Sequence, residues 1–289
     1  MTPSRTIAAL LLFTVGVLSA EAATVAVAGG AGGVAGADAA AVRVAAHRGG
    51  AGAWPENSLA AFRNALALGA DFVETDVHLT RDGDVVVLHD ATLDRTTTGH
   101  GAVGETERAD LAALRLRTRD GGATDEPIPT LAALLDLLRP HRAELLLEIK
   151  TDAAHRPYPG IEERVLARLR ERGLAPRTIV MAFEAGTLTR IRALDPAVRT
   201  ALLVGRSELD TRAPDAAARQ ARAAGATHVG IDHRALTAEV VGSARAQGLS
   251  VMAWTVNDEA SVRRVLGLGV DVVITDRPDL ARQITGARR

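Results

Sequence analysis

Residues 72–77 read Phe72-Val73-Glu74-Thr75-Asp76-Val77. The flanking residues are those of a buried β-strand, yet two carboxylates stand at alternate positions and therefore on one side of it. Charge inside an apolar strand is costly unless it is paired or binds something. The stretch thus predicts a strand deep in a sheet with a polar site at its end. Working outward, comparable short runs recur at Val44–His47, Leu145–Ile149, Ile179–Phe183, Thr200–Val204, Thr227–Ile231, Ser250–Trp254 and Val272–Thr275. Helical patterns alternate with them at 58–68, 130–138, 160–172, 186–194, 214–224, 237–247, 258–267 and 277–284. Eight β-then-α units imply a parallel sheet, and units of this size with right-handed crossovers most naturally close into a TIM-type (β/α)₈ barrel. An open doubly wound sheet is the alternative, but no G-x-G-x-x-G follows the first strand. Asp82-Gly83 marks a hairpin over residues 79–89 after the second strand, and residues 90–128 read as a long insertion.

Composition narrows the function. The 289 residues contain no cysteine, which excludes disulfides, thiolate nucleophiles and cysteine zinc sites. The formal net charge of −1 and the 2% aromatic content argue against nucleic-acid partners. Of the 34 basic residues, only Lys150 is lysine; the other 33 are arginine. Arg5, the apolar Ile7–Leu18 and the small residues of Ala20-Glu21-Ala22 read as a signal peptide over residues 1–22, so the chain is expected to be exported, periplasmic or extracellular, with no stable membrane span after cleavage. An uncleaved anchor is the other reading. Residues 23–42, almost all Ala, Gly and Val, read as a linker, which leaves 43–285 as the folded domain.

In such a barrel, chemistry sits at the C-terminal strand ends. There the sequence places His47-Arg48-Gly49-Gly50, Glu74 with Asp76, Glu148 with Lys150, and Trp254-Thr255-Val256-Asn257. Reversal near residues 81–83 brings His89 back level with Thr75 or Asp76. Glu74, Asp76 and Glu148 are hard oxygen ligands suited to a divalent metal, Ca²⁺ or Mg²⁺. His47 and His89 suit proton transfer near neutral pH. Arg48 and Lys150 suit a phosphate, and Trp254 a substrate wall. Together these are the means of breaking a phosphoric ester. Blander readings exist: Glu148 and Lys150 as a simple ion pair, His89-Asp90 as a turn cap, Trp54 as packing under its loop. His78 is expected to turn away from the site, and His100, His141, His155, His228 and His233 lack convergent partners.

The ordered series His47-Arg48-Gly49-Gly50, Pro55-Glu56-Asn57-Ser58, Glu74-Thr75-Asp76-Val77, Thr80-Arg81-Asp82-Gly83, His89-Asp90, Leu147-Glu148-Ile149-Lys150, Trp254-Thr255-Val256-Asn257 and Ile274-Thr275-Asp276-Arg277-Pro278 resembles the glycerophosphodiester phosphodiesterase family over about residues 44–284. The resemblance implies metal-dependent hydrolysis of small glycerophosphodiesters to an alcohol and sn-glycerol 3-phosphate. It implies Glu74, Asp76 and Glu148 as metal ligands, His47 and His89 as the acid/base pair, and Arg48 and Lys150 near the phosphate. Glu56 and Asn57 are expected to support the first loop. A lysophospholipase D of the same fold and a non-catalytic binding barrel are the rival readings.

Overall fold

The structure, a computed structural model, describes residues 41–209 and 213–286. The expected signal peptide and all but the last two linker residues lie outside them. The domain opens with β1 (Arg43–Ala46), α1 (Leu59–Ala67), β2 (Phe72–Leu79), β3 (Val85–Val87), α2 (Arg108–Ala113) and α3 (Leu131–Leu138). Strictly alternating units follow: β4 (Glu144–Ile149), α4 (Ile161–Glu171), β5 (Thr178–Ala182), α5 (Ala185–Leu194), β6 (Arg199–Val204) and α6 (Arg206–Leu209). The last are α7 (Ala216–Ala223), β7 (His228–Asp232), α8 (Ala238–Ala246), β8 (Ser250–Trp254), α9 (Glu259–Leu268), β9 (Val272–Thr275) and α10 (Pro278–Gly286).

Eight strands pair in parallel in the order β1-β9-β8-β7-β6-β5-β4-β2, and β1 pairs with β2 to close the barrel. The expected barrel is therefore the observed one. Closure leaves no parallel edge, and the far end of β2 instead takes the antiparallel β3 through Val77↔Val87 and Leu79↔Val85. This is the expected hairpin. Its turn is tied by Thr80 N–H to the Asp84 carbonyl and Gly83 N–H to the Thr80 carbonyl, at 2.9 and 3.0 Å.

Alternation sorts the side chains into shells. Ala45, Phe72, Leu146, Met181, Met252 and Ile274 fill the barrel interior. Val73, Val77, Leu145, Leu147 and Ile149 point outward against α3 and α4. On β2 the inward series Phe72, Glu74, Asp76 passes from apolar to charged, and on β4 so does Leu146, Glu148. The barrel is thus apolar below and charged at the mouth. The 90–128 insertion is no loose loop. It contains α2 and buries Leu93, Val103, Leu111 and Leu116 with Val86 and Leu88 of the hairpin.

Several elements differ from the sequence reading, among them the short α6, which it did not include. β1 ends at Ala46, and His47 begins a 3₁₀ turn, His47–Gly49, in which Arg48 is left-handed with φ 50°. β2 runs two residues beyond Val77 because β3 supplies a partner there. α2 carries too few residues to register as periodic.

Candidate active site

The first loop is set by its backbone. Arg48, at φ 50°, turns its N–H to Glu74 Oε2 at 2.7 Å. Gly49 follows at φ +79°, where a Cβ would lie 2.8 Å from Ala61 Cβ of α1, so only glycine lets the turn rest on the helix. Ser58 caps α1, its hydroxyl accepting from Ala61 N at 3.0 Å. Asn57, buried and left-handed at φ 56°, donates Nδ2–H to Asp76 Oδ2 at 2.9 Å and accepts from Thr75 Oγ1 at 3.0 Å. The Pro-Glu-Asn-Ser segment is therefore a clamp on the second strand.

Glu74, Asp76 and Glu148 converge: one oxygen from each lies within 4.8 Å of the others, and all three residues are buried. Lys150 Nζ donates to Glu148 Oε1 at 2.7 Å and stands 3.1 Å from Asp76 Oδ1. The approach to Asp76 lacks hydrogen-bond alignment, leaving Oδ1 a buried acceptor without a donor. Arg48 Nε lies 3.5 Å from Asp76 Oδ2, likewise unaligned. Burial, with Asp76 and Glu148 alongside, pushes the Glu74 carboxyl up to about 8 despite His47. Burial opposes ionisation of Asp76 too, but Lys150, His89 and Arg48 hold it far below the usual carboxylate range. Three buried carboxylates against Lys150 and Arg48, with an orphaned acceptor and a carboxyl forced upward, have the donor set and the crowded negative charge of a hard-cation site.

The two histidines line one cavity with these groups. That cavity, about 100 Å³, is walled by His47, Arg48, Glu74, His89, Glu148, Lys150, Met181, Phe183, Leu203, Trp254, Thr255 and Ile274. His47 Nδ1 pairs with Asp276 Oδ1 at 2.6 Å, and its Nε2 lies 4.0 Å from Glu74 Oε2. Asn257 steadies that carboxylate, donating Nδ2–H to Asp276 Oδ2 at 2.6 Å. His89 Nδ1 pairs with Asp90 Oδ1 at 2.7 Å. Each imidazole thus has its Nδ1 held by a carboxylate, and its Nε2 makes no hydrogen bond among the described residues. Burial depresses both rings, but Glu74 and the Asp276 bond raise His47 above its ordinary value, while Lys150 and Arg48 help keep His89 below it.

His89 reaches this place through the hairpin: Leu88 N–H donates to the Asp76 carbonyl at 3.1 Å, and the Val77↔Val87 register sets residue 89 level with Thr75. His78, expected to turn away, instead shares the parity of Glu74 and Asp76 on β2 and is buried beside His89, hydrogen-bonded to Tyr158 Oη at 3.0 Å and to the His89 carbonyl at 3.1 Å. A second chain of contacts ties the halves of the site together. Arg95, from the insertion, binds Asp90 and Glu56 with paired hydrogen bonds of 2.7–2.9 Å, and Glu56 Oε1 accepts from Arg48 at 3.0 Å.

The chain matches the family model described as the glycerophosphoryl diester phosphodiesterase family over residues 47–280. The chain belongs to that family. Among relatives, it is 35% identical over 248 residues to the glycerophosphodiester phosphodiesterase of Bacillus altitudinis, covering 84% of this chain and 97% of the relative. It is 33% identical over 254 residues to the one from Bacillus subtilis (strain 168), covering 83% and 85%. Among solved structures it is similar to an Oleispira antarctica phosphodiesterase in complex with the product sn-glycerol-3-phosphate, with a TM-score of 0.74, 28% identity and coverage of 85% and 96%.

All ten residues singled out in the sequence come together in this family member. Glu74, Asp76, Glu148, His47, His89, Arg48, Lys150 and Trp254 surround the first cavity or its carboxylates; Glu56 and Asn57 brace them. Trp254 stands edge-on to Phe183, ring centroids 5.7 Å apart, forming the apolar wall. Sequence reading gave no functional role to Phe183, Asp90, Arg95, Asn257 or Asp276, although Asp90, Asn257 and Asp276 stood in the blocks it quoted. Phe183 and Asp276 lie just past the ends of β5 and β9, where the strand-end rule would have singled them out. Arg95, inside the insertion, gave no such signal.

Proposed function

We propose that this protein hydrolyses glycerophosphodiesters to an alcohol and sn-glycerol 3-phosphate, with Glu74, Asp76 and Glu148 holding a divalent cation, Ca²⁺ or Mg²⁺, and with His47 and His89 moving the protons. The observation that carries this reading is the meeting of two carboxylate-held imidazoles with a cluster of three buried carboxylates, two of which, Glu74 and Glu148, line the same cavity as the rings. When bound, the cation supplies positive charge against the phosphoryl oxygens. Arg48 and Lys150 orient the phosphodiester and balance charge that gathers on its oxygens. One imidazole takes the proton of the nucleophile, either water or the substrate's own glycerol hydroxyl. As the phosphorus–oxygen bond to the leaving alcohol breaks, the other gives that oxygen a proton. Asp276 and Asp90 keep each ring turned for the transfer, and Trp254 and Phe183 offer an apolar wall to the glycerol side.

A lysophospholipase D of the same fold is the rival reading, its substrate carrying an acyl chain on the glycerol. The neighbouring cavity, about 440 Å³, is lined by Glu56, Arg95, Arg117, Arg119 and Asp276, with Thr96 and Thr118. Assays on glycerophosphocholine and a lysophosphatidylcholine decide the matter. The diester is expected to be cleaved, with His47→Ala and His89→Ala each lowering turnover by about 10²-fold or more. Chelation should abolish activity, and Ca²⁺ or Mg²⁺ should restore it. Full activity in chelator, or in either histidine variant, would overturn this assignment.

A further inference from the structure

The larger cavity opens from the smaller one, sharing His47, Arg48 and Thr255 with it. A diester whose phosphate lies at Arg48 and Lys150 has this larger cavity as a neighbouring space for its leaving alcohol. Charge in that space is one-sided. Its two carboxylates are already matched: Glu56 by Arg48 and Arg95, Asp276 by His47 and Asn257. Arg95 is matched as well, through Asp90 and Glu56.

Arg117 and Arg119 are different. The Arg117 guanidinium is fixed by backbone carbonyls alone, with Nε donating to Thr97 O and Nη1 to Gly121 O, both at 2.8 Å. No carboxylate among the described residues pairs with it. Arg119 is exposed on the same rim, and no ion pair holds it among the described residues. Its neighbour Asp120 is taken up by the Thr118 hydroxyl. Thr96, which also lines the cavity, keeps a buried hydroxyl without a partner. A quaternary ammonium would find one half-buried indole, Trp54, facing two unneutralised cations. An anionic group would find a pre-set guanidinium beside a free one.

We propose that this cavity selects diesters whose leaving alcohol carries a second anionic group, with Arg117 and Arg119 as its specificity residues. The proposal rests on the hydrolytic reading above for the direction in which the diester lies. Three diesters test it: glycerophosphoinositol 4-phosphate, glycerophosphoinositol and glycerophosphocholine. At low ionic strength the phosphorylated diester should exceed glycerophosphocholine in kcat/KM by about tenfold or more, chiefly through KM, and the gap should shrink with salt. In an Arg117→Gln/Arg119→Gln variant the ratio should fall to near one. Equal kcat/KM for the three diesters, or a variant that lowers all three alike, would overturn the proposal while leaving hydrolysis intact.

Binding keeps the two readings apart. Calorimetric titration of the His89→Ala protein with the two inositol diesters should show tighter binding of the phosphorylated one, lost on adding the arginine substitutions. That preference, together with a parent protein that cleaves none of the three, would sustain the anion site and sink the hydrolytic reading. Equal binding of the two would sink the anion site alone.

Discussion

Lys150 shows how a single side chain is chosen by its surroundings. A chain that uses arginine almost everywhere keeps its lysine where an ammonium must stand 2.7 Å from Glu148 and 3.1 Å from Asp76 inside the barrel mouth. A guanidinium is planar and wider, and reaching both carboxylates it would push into the cavity. Burial disfavours the charged lysine, but Asp76 and Glu148 more than restore it and raise its pKa above the ordinary value. Lys150→Arg should therefore lower kcat/KM by about tenfold or more while the protein keeps its fold, read by steady-state assay and circular dichroism. Parent-like activity would make the lone lysine an accident of composition. The sequence identified Lys150 by rarity and position, but its pairing with Asp76, from a different strand, was visible only once β2 and β4 lay side by side with Asp76 opposite Glu148.

At the scale of elements, the hairpin and the insertion act as one unit. β3 delivers His89, and the cluster of Leu93, Val103, Leu111 and Leu116 pins the insertion onto β3, placing Arg95, Arg117 and Arg119 at the mouth. Leu111 is fully buried in that cluster. Leu111→Ala removes packing that the site relies on at a distance and should cost about 2–5 kcal/mol in stability. Amide exchange should accelerate across residues 90–128 before it does in the barrel strands, and KM should rise more than kcat falls. Uniform exchange across the whole domain would show that the insertion is not a separate unit. The barrel strands and helices were legible because each repeats a short apolar run and a 3.6-residue pattern, and helix ends were marked by caps such as Ser58, Thr130, Thr237 and Asp258. The insertion was not, because its order comes from a small shared core and isolated bridges such as Thr97↔Leu116 rather than from any period.

The whole molecule carries a further signature in its stability. His228, at the start of β7, is buried, and burial together with the nearby Arg199 and Arg43 cations pulls its pKa down to about 4 from 6.5. Burial does the same to His78 beneath the site, again to about 4. Both rings are neutral in the folded protein but take protons once unfolded below pH 6.5. Their contribution to stability is complete above that pH and drains away as the pH falls toward 4. The melting temperature should drop across this window, and His228→Gln should make the drop shallower. An unchanged slope in that variant would assign the acid sensitivity to other groups.

Alternation and repetition in the sequence by themselves determined the barrel and the mouth as the place of chemistry. Side-chain direction in a strand follows from parity, and a repeated βα unit has few ways to close. They also determined the membership of the carboxylate cluster, since Glu74, Asp76 and Glu148 are costly where they stand unless they act together. Tertiary structure alone decided which carboxylate holds which histidine, that Arg95 joins Asp90 to Glu56, and that Arg117 and Arg119 face the second cavity. Those contacts join residues as far apart as His47 and Asp276, and their strength depends on distance and burial, which no local pattern in the chain encodes.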